Sequence, residues 1–87
     1  MSRIKHFDIF NEPENVRLLK EYNECEYYQR HLSHSPERLI RQKEIKKLLT
    51  EKGLTVFGFF PYRLALTESV FYKNGHQYLK EGYYYEN

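Results

Sequence analysis

The chain has no tryptophan, a single cysteine, three prolines and four glycines in 87 residues. Cys25 has no second thiol within the chain, so an internal disulfide is excluded; packing must hold the core, as suits a reducing compartment. The longest apolar run, VFGFF, is far shorter than a membrane span, and MSRIKHF opens without the apolar segment of a secretory signal. The expectation is a cytoplasmic protein that does not associate with membrane. Glycine-rich phosphate loops are missing, and so is the acid, base and nucleophile grouping of an enzyme site. No cofactor is expected, and the chain reads as a non-enzyme.

Aromatic residues are plentiful. Nine tyrosines and six phenylalanines bring the aromatic share to 17%, within a composition that is 40% hydrophobic and 30% charged. A disordered segment does not carry that many rings. The length suits one small domain spanning 1–87 with one modest core.

A net charge of +2 conceals two opposed segments. Residues 8–28 hold six acids against two bases, and residues 29–52 hold seven bases against three acids. Phosphate attraction needs a continuous positive surface, so this dipolar layout is a weaker nucleic-acid signal than uniform basicity.

Residues 3–10, RIKHFDIF, alternate well enough for a short strand. NEPE then reads as a helix start, with Asn11 as cap, Pro13 in the first turn and Glu14 completing a capping box. Leu18, Leu19, Tyr22, Cys25, Tyr28 and Leu32 share one face of that helix. Ser35, Pro36 and Glu37 open a second helix, expected to reach Lys52 and stop at Gly53. Its apolar stripe is Leu39, Ile45, Leu48 and Leu49. Glu37–Arg41 and Lys47–Glu51 stand at ion-pair spacing along its surface.

LTVFGFF, ended by Pro61, reads as a central strand, and Asn74-Gly75 as a type I′ hairpin turn within residues 62–85. That turn sets Tyr72 opposite Gln77, Val70 opposite Leu79 and Leu66 opposite Tyr83. It also sets Glu68 against Glu81, an unfavourable pairing. The predicted fold is α+β: two antiparallel helices on a small antiparallel sheet of three or four strands, ending in a C-terminal β-hairpin. A winged helix is the alternative; the length of the helices and the lack of a short third helix before the hairpin speak against it.

Cys25, His31 and His34 carry thiolate and imidazole at C-x5-H-x2-H spacing, with His6, Asp8 or His76 as fourth zinc ligand; Cys25 reads more simply as a small core residue. Two binding readings remain. The first is a regulator or inhibitor that occupies a protein partner's surface through tyrosines, including self-association of the C-terminal strand into a homodimer. Tyr78, Tyr83, Tyr84 and Tyr85 are its candidate residues. By strand alternation Tyr83 and Tyr85 face the core side and Tyr84 the outside. The second is a nucleic-acid-binding regulator, in which Arg41, Lys43, Lys46 and Lys47 meet DNA or RNA phosphates and the sheet tyrosines stack on bases.

Overall fold

The computed structural model describes residues 9–80. Two long helices come first: α1, Pro13–His31, and α2, Pro36–Glu51. Partners across the seam run in reverse order. Lys52 reaches back to Glu14, Arg41 to Glu21, and Arg38 to Tyr28. The helices are therefore antiparallel.

Ser35 caps α2 as anticipated: its Oγ accepts from the Arg38 N–H at 3.2 Å, with Pro36 in the first turn where a missing N–H costs nothing. At the other end the Gly53 N–H donates to the Thr50 carbonyl at 2.9 Å. The start of α1 departs from expectation. Its cap is Glu12, whose side chain makes no capping bond, and not Asn11. The Asn15 side chain instead donates to the Ile9 carbonyl at 2.9 Å. Ile9 and Phe10 are helical, so the strand expected over 3–10 does not form there; residues 3–8 lie outside the described residues.

Four short strands follow, in two antiparallel ladders. β1, Leu54–Phe57, pairs with β2, Arg63–Leu66; β3, Val70–Lys73, pairs with β4, His76–Leu79. The architecture is thus α+β, with a hairpin where Asn74-Gly75 announced one. Asn74 and Gly75 have φ of 55° and 80°, the pair of positive values a type I′ turn demands. The register is as read: Val70 opposite Leu79 and Tyr72 opposite Gln77.

Leu66 pairs with Leu54, and Tyr83, the partner expected for it across the hairpin, lies outside the described residues. A 3₁₀ turn at Thr67–Ser69 separates β2 from β3, and Ser69 Oγ donates to the Leu66 carbonyl at 2.8 Å to close it. Glu68 sits in that turn, outside both ladders, and Glu81, foreseen opposite it, lies outside the described residues. No helix stands between α2 and β1 to complete a winged helix.

The core lies between the helices and the first ladder. Leu18 and Tyr22 of α1, Ile45 and Leu49 of α2, and Leu54, Val56, Leu64 and Leu66 form it together with Phe10. Each fully buried aliphatic side chain contributes about 1.5–3 kcal/mol of transfer free energy. Leu39, Ile40 and Leu48 are exposed, so α2 buries a narrower stripe than its apolar residues implied. Buried Gln42 takes up the remaining inner position. Its Nε2 donates to the Tyr22 carbonyl at 3.2 Å and to Glu26 at 3.0 Å, while its Oε1 accepts from Gln29 at 2.9 Å. Among the described residues no buried side-chain nitrogen or oxygen lacks a partner.

Candidate functional site

The loop joining β1 to β2, residues 58–62 (GFFPY), projects the most exposed large apolar side chain among the described residues. Phe59 is 91% exposed. The expectation of a continuous strand through LTVFGFF fails at Gly58, whose φ of +93° is barred to a residue in a regular strand and turns the chain out of the ladder.

Side chains from two other elements tie this loop down. Asn23, on α1, grips the Tyr62 backbone from both sides: its Oδ1 accepts from the Tyr62 N–H at 2.9 Å and its Nδ2 donates to the Tyr62 carbonyl at 3.1 Å. Gln77, on β4, holds the other end: its Oε1 accepts from the Gly58 N–H at 3.3 Å and its Nε2 donates to the Val56 carbonyl at 3.4 Å. Gln77 also donates to the Tyr72 hydroxyl at 3.2 Å, which brings that 68%-exposed ring to the same side as the loop. Beneath, the Arg30 guanidinium lies 5.0 Å from the centre of the Phe60 ring, and Phe60 meets Tyr62 edge to face at 6.3 Å.

Electrostatics reinforce the support. Partial burial pushes the Glu26 carboxyl up, but hydrogen bonds from Arg30 and Gln42 and the Arg30 charge outweigh it, holding the group below its ordinary range. Glu26 and the Tyr62 hydroxyl in turn raise Arg30. Tyr62 packs edge to face on Tyr22 at 5.5 Å, and burial, with smaller contributions from Tyr62 and Glu26, pushes the Tyr22 phenol up. Both phenols of this contact thus belong to the loop's foundation.

The residues singled out from sequence fall in different places. Tyr78 is 43% exposed and stacks on its cross-strand partner Phe71 at 5.6 Å, on the hairpin face opposite Tyr72 and Gln77. Tyr83, Tyr84 and Tyr85 lie outside the described residues. Arg41 turns away from Glu37 and makes a two-pronged bond across the helix seam to Glu21, at 2.7 and 3.0 Å, and a weaker one to Glu44 at 3.3 Å. The Arg41 hydrogen bonds hold Glu21 below the ordinary carboxylate range and raise Arg41 itself. Lys43, Lys46 and Lys47 stand exposed on the outer side of α2.

Cys25 is buried, and burial, aided by Glu21, pushes its thiol up, away from the thiolate a nucleophile or zinc ligand needs. The His31 ring lies tilted against Tyr27, with centroids 4.5 Å apart. Among the described residues no three His, Cys, Asp or Glu side chains gather to hold a metal; His6 and Asp8 lie outside them. The groove between the helices is open, about 680 Å³, and its charges already serve one another: Arg41 binds Glu21, and Arg38 stacks 3.5 Å over the Tyr28 ring.

Phe59, Tyr72, Asn23 and Gln77 were missed by sequence reasoning. The one available signal was punctuation, Gly58 and Pro61 bracketing two phenylalanines, which marks a turn more readily than a strand. No family model matches the chain, and no curated protein or solved structure matches it either.

Proposed function

We propose that this is a small non-enzymatic binding protein that regulates or inhibits a macromolecular partner, engaging a protein surface through loop 58–62 and Tyr72. The observation that carries this reading is Phe59, 91% exposed on a loop clamped at Gly58 by Gln77 and at Tyr62 by Asn23. An aromatic ring left in water contributes nothing to folding, whereas seated in a partner's pocket it is a typical energetic hot spot. Clamping the backbone beforehand lowers the ordering cost that binding must overcome. Tyrosine beside it adds contact area with a hydroxyl that tolerates water.

Affinity capture from the native host, with and without nuclease, tests this. Wild type should retain a stoichiometric protein that survives nuclease. Phe59→Ala should weaken that complex by about 2 kcal/mol, roughly 30-fold in Kd. Equal affinity of the two forms, measured on the captured partner, overturns the reading.

A further inference from the structure

We infer that the outer face of α2 binds the phosphate backbone of nucleic acid without reading its sequence, a surface independent of the aromatic loop. The reasoning begins with how the cations of residues 29–52 are used. Arg30 pairs with Glu26, Arg41 with Glu21 and Glu44, and Lys52 with Glu14, while Arg38 lies over the Tyr28 ring. Lys43, Lys46 and Lys47 make no ion pair among the described residues. Even Glu51, one helical turn beyond Lys47, does not close on it.

These three lysines share about 100° of the helix circumference, and Lys43 neighbours both Lys46 and Lys47, with Cβ atoms about 5–6 Å apart; Glu44 and Glu51 stand at the same spacing from Lys47, but Glu44 is taken by Arg41. Like charges so placed destabilise a helix by a few tenths of a kcal/mol per pair. A regularly spaced row of anions on a partner relieves that repulsion. Nucleic acid supplies such a row, and lysine neutralises phosphates as a flexible point charge. Protein interfaces use lysine sparingly and favour aromatic residues and arginine, so chemistry divides the two surfaces: rings for a protein, lysines for a polyanion. Lysine heads offer no bidentate fork to a base edge, hence the lack of sequence preference.

The test is fluorescence anisotropy of the full chain with a labelled mixed-sequence DNA duplex of about 20 base pairs, between about 50 and 200 mM salt. Three phosphate contacts predict a slope of log K against log salt of about −2.7, which weakens binding about 40-fold across that range. A duplex of unrelated sequence should behave the same. Lys43→Gln, Lys46→Gln and Lys47→Gln should each reduce the slope by about 1 with melting unchanged or slightly raised; the triple Gln variant should abolish binding and the triple Arg variant restore it. Phe59→Ala should leave duplex binding intact. The inference fails if the duplex does not bind at the lowest salt, if the triple Gln variant binds as wild type does, or if polyglutamate competes as well as DNA, which would assign the face to an acidic protein.

Discussion

Loop 58–62 and the outer face of α2 are both exposed, yet they are built in opposite ways. The loop presents rings on a backbone fixed by side chains from α1 and β4. The helix face presents ammonium groups on long stems above a backbone that is rigid because it is helical. A rigid apolar knob suits one shaped pocket, since its contact area is short-ranged and demands complementarity. Flexible charges suit a repeating anion, since Coulomb attraction acts over about 10 Å at ordinary salt and tolerates misalignment. On the two proposals, position in the fold separates specificity from general attraction within one chain.

Perturbing what the two surfaces share should give the largest effect. Ile45 is fully buried under both, on the inner side of α2 and against the ladder that carries the loop. Ile45→Ala should cost about 2–5 kcal/mol in denaturant unfolding and degrade both binding activities together. A loss confined to one activity would show that the two surfaces do not depend on a common core.

Releasing the loop alone is the next test. Asn23→Ala removes both bonds to the Tyr62 backbone and should cost about 1–3 kcal/mol by thermal melting. It should weaken the protein complex beyond what the stability loss explains, with duplex binding intact. Unchanged partner affinity would mean that the clamp does not preorganise Phe59.

The smallest effect concerns acid. Glu21 and Glu26 are held below their ordinary pKa in the folded protein, by Arg41 and by Arg30 with Gln42. A depressed carboxyl adds stability that is complete above the unfolded value, about 4.3, and is lost as pH falls through the lower folded value. Melting temperature should therefore decline below about pH 4. Glu26→Gln should lower stability at neutral pH by under about 1 kcal/mol, and the difference should vanish in acid. A constant gap across this range would assign the effect to packing instead of charge. Duplex binding, carried by the lysines of α2, should keep its salt slope down to the pH at which the fold loosens.

Much of the fold was legible because local chemistry dictates it. Ser35-Pro36 starts α2 and Gly53 stops it, since caps and stops are decided within a few residues. Asn74-Gly75 admits positive φ at adjacent positions and so sets the turn, and the turn sets which residues of β3 and β4 face each other. The charged outer surface of α2, on which Lys43, Lys46 and Lys47 flank Glu44 and Glu51, was legible for the same reason: helical spacing alone fixes which residues are neighbours.

Other features depended on partners distant in the chain. Arg41 stood one turn from Glu37, but Glu21 across the seam offers a two-pronged bond and takes it. Gln42, to which the sequence assigned no role, is buried because Tyr22, Glu26 and Gln29 supply its bonds in the interior. Phe59 reads as strand until Gly58 breaks the ladder and Asn23 and Gln77 fasten the loop outward. Chain-local rules settle caps, turns and helical faces because their partners lie within one turn. Which polar groups are buried and which ring is left in water followed from long-range competition for hydrogen bonds and apolar area, and that competition exists only once the elements have packed.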